Sequence, residues 1–413
     1  MKQPNRLKPS SDHHFSGTDI DRSRPLRFRL NGRTVNGFAG DTVLSAAIAS
    51  GINEAGRHLG SPLALSERFA PPVLPSSQLH LPQNALPMAR LPAIDGMELS
   101  TLGTMRAAPA PRRIADIIRS LTIGPNRSLG LHLDGASPLA GPWLDQEADT
   151  HLDTDLAVVG GGIAGLSAAW AAAQAGGRVL LIERRASAGG DARFFGAVEG
   201  EEAPDQVIKR LLQNLGSMPN VTILTGTEAF AITGQTLRAH SIDIIDGAPA
   251  GRVLAVAFKR LVLANGVIER LPVFPGNRMP GVAGALETYH RGVRHGVWPG
   301  KSTLFNTAVS VVYRLAMLAS DAGIAIERIT DTRTQPQSRF IEFSKAYGIR
   351  LVRGLAPASV TAAPSRQAGV LVHLAPTFEG VAQQVPPIWT ELLVTSGGWQ
   401  PDLGLWLMAG GQC

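Results

Sequence analysis

The tightest constraint in this chain is the stretch Asp155–Glu183, which reads DLAVVGGGIAGLSAAWAAAQAGGRVLLIE. Its apolar run Leu156–Val159 has the length and branched content of a buried strand. Three glycines interrupt that run, and the alanine- and leucine-rich segment Ile163–Gln174 predicts a helix. A second apolar run, Arg178–Ile182, ends at Glu183. Strand, glycine turn, helix, strand and terminal acid in this order make the βαβ fingerprint of a dinucleotide site. Each residue type has a physical task. Gly160 permits the tight turn, Gly162 lets the backbone approach a diphosphate, and Gly165 lets helix and strand pack closely. The N–H groups opening the helix, at Ile163 and Ala164, face the diphosphate. Glu183 accepts hydrogen bonds from the adenosine ribose. FAD and NAD both satisfy this motif.

Two further segments belong with the fingerprint. Gly189 and Gly190 follow the ribose acid closely and predict a turn back across the nucleotide. Arg184 and Arg185 would attract a 2′-phosphate, but Glu183 repels one, which disfavours NADP. Farther along, the apolar strand ending in Leu263 runs into Ala264-Asn265-Gly266, a small-residue turn from which the chain crosses towards Pro272–Gly276. Between 280 and 394 a second βαβ pattern appears: strand Lys301–Phe305, helix Val309–Ala322 and strand Ile324–Ile329, with Asp331 beyond. The turn at Asn306–Ser310 holds no glycine, so side chains block close phosphate approach and this second site reads as degenerate. Just upstream, His290 and His295 sit in a helix and loop, Glu287–Trp298; surface positions are expected for both, with a substrate channel as the alternative.

The 413 residues suffice for two or three domains. At 44% hydrophobic and 17% charged the chain supports a substantial core. Its net charge of +6 comes from scattered arginines without a basic block, and nucleic-acid binding is not expected. The single cysteine, Cys413, leaves no disulfide framework and no cysteine-ligated cluster. The absence of a signal peptide or a membrane-length apolar run predicts a cytoplasmic protein without membrane association. Residues 1–24 are polar and predict a disordered tail. Leu26–Leu30 and Arg33–Phe38 read as a hairpin around Asn31-Gly32. The helix Val43–Ser50 follows, with Asp41 as its expected N-cap. Residues 25–72 are thus similar to the opening of a plant-type ferredoxin β-grasp module, here without cysteine ligands. Residues 73–150 read as a connector, with a short helix at Ile114–Leu121 and packing anchors at Trp143 and Leu144.

The order of these pieces is a GDT-led module, then VVGGGIAGLSAA, then LANGVIERLPVFPGN, then SGGWQP. It resembles the N-terminal half of the alpha subunit of heterotetrameric sarcosine oxidase, a family with relatives in opine oxidase and hydrogen-cyanide synthase complexes. The resemblance implies an α/β fold with two dinucleotide-binding, Rossmann-like domains of the FAD/NAD(P)-binding type, preceded by the cysteine-free β-grasp module. Residues 151–270 and 395–413 then form the dinucleotide-binding domain, with its C-terminal part incomplete, supplied by another chain or lost. Residues 271–394 form the second nucleotide-type domain. The implied cofactor is one dinucleotide, NAD or FAD, at Gly160, Gly162, Ile163, Ala164, Gly165, Glu183, Arg184, Gly189, Gly190, Ala264, Asn265 and Gly266. FMN is implied at an interface with a partner, and no iron–sulfur cluster. The implied partner is a flavin-bearing beta-type subunit, and the substrate a small amine such as sarcosine or an amino acid such as an opine. A non-catalytic or truncated subunit that keeps the nucleotide fold is the alternative. No catalytic acid/base pair and no metal site stand out.

Overall fold

The computed structural model describes all residues except 1, 11–12, 103–127, 134–142, 198–199, 364–367, 379–384 and 413. The helix expected at Ile114–Leu121 lies outside the described residues. Contacts divide the chain into two units, with crossings after His80, Leu86, Ala140, Ile268 and Gly398.

The first unit begins with β1 (Asp21–Leu30) and β2 (Arg33–Ala39), antiparallel, around the Asn31-Gly32 turn. Both turn residues take positive φ, 51° and 75°, the geometry that such two-residue hairpins require. Helix α1 (Val43–Ala49) is capped by Thr42, whose hydroxyl accepts from the Ser45 amide at 3.1 Å while the Thr42 amide donates to Ser45 Oγ at 3.0 Å. Asp41, expected in that role, sits one residue too early. Its carboxylate is instead shared by Arg6, Ser45 Oγ and the Phe38 amide.

Two expectations for this region change. Residues 1–24 do not trail as a disordered tail: Arg6 is buried against Asp41 at 2.6 Å, and Phe15 is fully buried, stacked on Trp298 at 5.3 Å. Two anchors, one paired cation and one ring, hold a segment whose average polarity hides them. Nor is 73–150 only a connector. After β3 (Glu54–His58) and β4 (Ser61–Ala64), strands β5 (Val73–Pro75) and β6 (Glu98–Thr101) extend the first sheet in the order β2-β1-β6-β5. Strand β7 (Ser128–His132) joins β3. Pro75 is tolerated because β5 is an edge strand, where a missing N–H leaves no ladder partner stranded.

The second unit holds a six-stranded sheet. Its strands are β8 (Thr150–Val159), β9 (Val179–Ile182), β10 (Val221–Leu224), β11 (Glu228–Thr233), β12 (Thr236–Ile245) and β13 (Ala248–Leu263), in the order β10-β9-β8-β13-β12-β11. The first four in that order run parallel, and β12 and β11 are antiparallel additions. Alternation along β8 sorts the core. Val158 faces α2 (Ile163–Gln174) and α4 (Pro204–Gly216), packing with Leu166, Leu181, Ile208 and Leu211. Ala157 and Val159 face the other side with Leu180, Leu237 and Val256. A four-residue helix, α3 (Ala192–Phe195), lies between. Of the expected anchors, Trp143 is buried and stacks on His240 at 4.2 Å, whereas Leu144 is exposed.

Strand β14 (Val267–Glu269) leads the chain back to the first unit. There β15 (Val282–Gly284), β16 (Ser302–Thr307), β17 (Ala325–Asp331), β18 (Leu351–Arg353) and β22 (Leu392–Ser396) form an all-parallel sheet, β15-β22-β16-β17-β18. Helices α5 (Ala285–His295), α6 (Val311–Asp321) and α7 (Phe340–Ala346) connect it, and β19 (Leu355–Ala362), β20 (Val370–Pro376) and β21 (Ile388–Thr390) form an antiparallel meander. Strand β23 (Trp399–Pro401) and helix α8 (Gly404–Met408) return to the second unit, where Leu405 packs against its core.

Candidate functional site: a glycine cradle at the end of three parallel strands

The fingerprint folds as one packed turn at the C-terminal ends of β9, β8 and β13. Gly160 takes φ +103°, and a Cβ there would stand 2.2 Å from the Ala264 carbonyl oxygen. A Cβ on Gly165 would stand 1.9 Å from the Gly160 oxygen. Ala264 in turn donates its amide to Val159 at 2.7 Å. These three small residues let α2 press against the sheet, and a methyl group at either glycine would drive strand and helix apart.

Gly162 is different. It is the N-cap residue of α2, with φ −74° and ψ 176°, a conformation open to any residue. The nearest atom to an added Cβ is the Gly190 Cα at 3.8 Å. Gly189 donates its amide to the Gly161 oxygen at 2.7 Å, and Gly190 lies so close to Gly162 that a Cβ of its own would come within 2.8 Å of the Gly162 Cα. Glycine therefore meets glycine here, and no side chain caps α2. The amides of Ile163, Ala164 and Gly165 open a twelve-residue helix whose dipole favours an anion at this end.

Glu183 is buried, and both carboxylate oxygens already accept backbone amides: Oε2 from Gly161 and Oε1 from Arg185, each at 2.7 Å. A carboxylate offers about four acceptor positions, so Glu183 fixes the glycine turn and keeps lone pairs for a ribose. Arg185 turns aside to Asp191 at 2.7 Å, and Arg184 is exposed. Asn265 does not face the cradle freely. Its Nδ2 donates to the Asp402 carbonyl at 2.8 Å, and the Gly266 oxygen accepts the Asp402 amide at 3.2 Å. This pair of bonds fastens the returning segment 399–402 beside the end of β13. That segment brings Trp399 against Phe194 and Phe195, a cluster that a motif-based reading passes over because its members lie two hundred residues apart in sequence.

In the first unit, Asp331 ends β17 where a second ribose acid would stand. Its carboxylate is fully buried and filled by the Tyr313 hydroxyl at 2.6 Å, Arg333 Nη2 at 2.7 Å, Nε at 3.0 Å and the Arg333 amide at 2.8 Å. Desolvation and this contact with Asp331 push the Tyr313 hydroxyl's pKa up, so it stays a donor. His295, placed on the surface by the sequence pattern, is buried. Desolvation pulls its pKa down to about 4 against the opposing pull of Asp41, and its Nδ1 has no hydrogen-bond partner. Phe15 and the Arg6 segment, unrecognised as ordered in the sequence, are what cover this end of α5.

Known proteins fit this geometry. Residues 154–295 match the pyridine nucleotide-disulphide oxidoreductase family model. Sarcosine oxidase subunit alpha of Rhizobium meliloti (strain 1021) is 29% identical over 95% of this chain and 42% of its own length. Over nearly its whole length the chain resembles the sarcosine oxidase alpha subunit. The same subunit from Corynebacterium sp. (strain P-1) is 27% identical over 94% of this chain and 38% of its own length. The chain thus spans about two-fifths of the length of the curated relatives it matches. Among solved structures, L-proline dehydrogenase from P. horikoshii superposes with a TM-score of 0.62 at 18% identity, covering all of this chain and 65% of that one. This is a likeness of fold.

One expectation is overturned. Residues 23–61 match the 2Fe-2S iron-sulfur cluster binding domain model, which corrects the expectation of no iron–sulfur cluster. The residues of this stretch do not themselves fit such a cluster, because none of them is a cysteine and thiolates are what hold it. The carboxylate of Asp41 is already held by Arg6 and Ser45. The hairpin and α1 carry the pattern of the module without its ligands. Among the described residues no helix is long and apolar enough to cross a membrane.

Proposed function

We propose that this chain is the dinucleotide-holding part of a flavin-dependent amine or amino-acid oxidoreductase complex, with a dinucleotide, NAD or FAD, seated on the second unit. The observation that carries the reading is the cradle at Gly162: an uncapped helix start, glycine facing glycine, and room above the backbone that a Cβ would fill. In this reading the amides of Ile163, Ala164 and Gly165 hold the diphosphate, Glu183 accepts from the adenosine ribose, and Gly189, Gly190, Ala264 and Gly266 keep backbone close to the ligand without side chains in its path. Asn265 serves by pinning the 399–402 segment, and Arg184 lies at the rim. The dinucleotide, when bound, supplies a two-electron acceptor, and the chain binds and orients it. The curated relatives' name, an alpha subunit of sarcosine oxidase, supports further subunits and a small amine as substrate; a flavin-bearing partner, an amino acid as the alternative substrate and a cytoplasmic setting belong to the same proposal. In this reading residues 271–394 carry a second nucleotide-type domain whose own site is closed by Tyr313 and Arg333 at Asp331.

Titration calorimetry with FAD and NAD, together with chromatography of nucleotide released on denaturation, tests the reading. The wild-type chain is expected to bind one of the two and Gly162→Val to bind neither while remaining folded. A folded wild-type protein that neither carries nor takes up either dinucleotide refutes it and leaves a structural subunit.

A further inference from the structure

Three aromatic rings meet beside the cradle in the second unit. Phe194 and Phe195 pack edge to face at 5.4 Å, and Trp399 closes the triangle at 5.8 Å from Phe194 and 5.1 Å from Phe195. Phe194 is buried as the base of the cluster, whereas Phe195 is 42% exposed, an apolar ring left without a cover. Trp399 is partly exposed beside Phe195, while its indole nitrogen is turned into the protein. Both flanks of the cluster are tied to the fingerprint. Phe194 and Phe195 follow Gly190, which rests on Gly162, and Trp399 precedes Asp402, which is bonded to Asn265 and Gly266.

Strand order says which half of a dinucleotide comes here. Along the sheet β9, β8 and β13 are neighbours. Glu183 ends β9, the start of α2 follows β8, and Ala264–Gly266 end β13. A diphosphate crossing the start of α2 from a ribose at Glu183 delivers the other half of the molecule over the end of β13, where Asp402 holds the Trp399 segment.

Resting on the dinucleotide reading above, we propose that Trp399 and Phe195, braced by Phe194, form the stacking face for the flat heteroaromatic ring on the non-adenosine half of the dinucleotide. These are positioning residues that set how firmly the reactive ring is held. An isoalloxazine and a nicotinamide both present such a ring.

The test uses the full chain and three ligands: FAD, NAD and ADP-ribose, which keeps adenosine, diphosphate and ribose but lacks the second ring. Trp399→Leu is expected to weaken whichever full dinucleotide binds by roughly ten- to hundredfold, the worth of a stacking contact and of the apolar area it covers. ADP-ribose affinity is expected to stay within about twofold. Trp399→Phe, which keeps a smaller ring, and Phe195→Leu, at an exposed position that leaves the fold intact, are expected to lose part of the affinity. If FAD is the ligand, its bound fluorescence rises in Trp399→Leu as the quenching ring is removed. Equal losses for ADP-ribose and the full dinucleotide overturn the assignment while leaving the dinucleotide reading standing, as does unchanged affinity in all three variants. Absence of any nucleotide binding by the wild-type chain overturns both.

Discussion

Glu269 and His295 pull the stability of the first unit in opposite directions with pH, and separating them is the most exacting check on this fold. Glu269 is buried, and desolvation raises its pKa from 4.5 to about 7 even though the Ser396 hydroxyl and the amides of Leu286 and Ala285, at 3.0 and 3.1 Å, favour its charge. It serves as a remote cap for α5, whose own N-cap, Gly284, has no side chain to offer. A folded-state pKa above the unfolded one means the native state holds the proton longer. Its contribution is complete below pH 4.5 and is lost as pH rises through 7. At about 1.4 kcal/mol per pH unit, that span is worth about 3 kcal/mol.

His295, at the other end of α5, has the reverse sign. Its pKa falls from 6.5 to about 4, chiefly through desolvation, with Asp41 and Asp19 opposing and Arg294 and Arg6 assisting. Its neutral form is complete in stability above pH 6.5, and about 3 kcal/mol is lost as pH drops through 4. The two windows overlap almost wholly, so between pH 4.5 and 7 the wild-type chain gains from one group about what it loses from the other. Glu269→Gln removes the falling contribution and is expected to leave a stability that rises with pH by about 3 kcal/mol. His295→Gln is expected to leave one that falls by a similar amount. Urea unfolding followed by circular dichroism at half-unit pH steps reads both slopes. Variants whose slopes match the wild type, or tilt the same way as each other, refute the reasoning, whatever their absolute stability.

Further outcomes follow from the same contacts. Gly165→Ala places a methyl carbon 1.9 Å from the Gly160 oxygen and is expected to cost several kcal/mol or abolish folding, read by expression and thermal denaturation, whereas Gly162→Ala is expected to lie within about 1 kcal/mol of wild type. Asp41→Asn breaks a pair in which both side chains are almost wholly buried and is expected to cost about 3–5 kcal/mol, with the N-terminal residues becoming cleavable by protease. Asp331→Asn, within a carboxylate already filled by Tyr313 and Arg333, is expected to lower thermal stability yet leave FAD and NAD affinity unchanged. A changed affinity by calorimetry would mean the second nucleotide-type domain takes part in binding.

Much of the fold was legible because its signals are local. The Asn31-Gly32 hairpin and the strand–glycine–helix run from Leu156 to Gln174 each declare themselves within about twenty residues, and each appears where the pattern put it. What the sequence concealed depends on distant pairing. Arg6 looks like one more surface cation until Asp41, thirty-five residues on, buries it. Residues 73–101 look irregular because prolines break them, yet an edge position is where a strand can afford a proline. Thr42 rather than Asp41 caps α1 because capping depends on a single residue of register, which propensity does not resolve.

The candidate site divides along the same line, and the division bears on what the fingerprint means. Gly160 and Gly165 are required by the fold itself, since each would bury a Cβ in backbone only about 2 Å away. They would persist in a chain that had stopped binding nucleotides. Gly162 is under no such demand: its φ suits any residue and 3.8 Å of clearance awaits a side chain. A glycine that packing does not need, at the mouth of an uncapped helix with a buried acid aligned beside it, is what the proposed dinucleotide site accounts for. The three glycines are read as one motif in sequence, but only the middle one bears on the proposed site rather than on packing, and the proposed aromatic face at Phe195 and Trp399 would extend that site from the diphosphate to the ring beyond it.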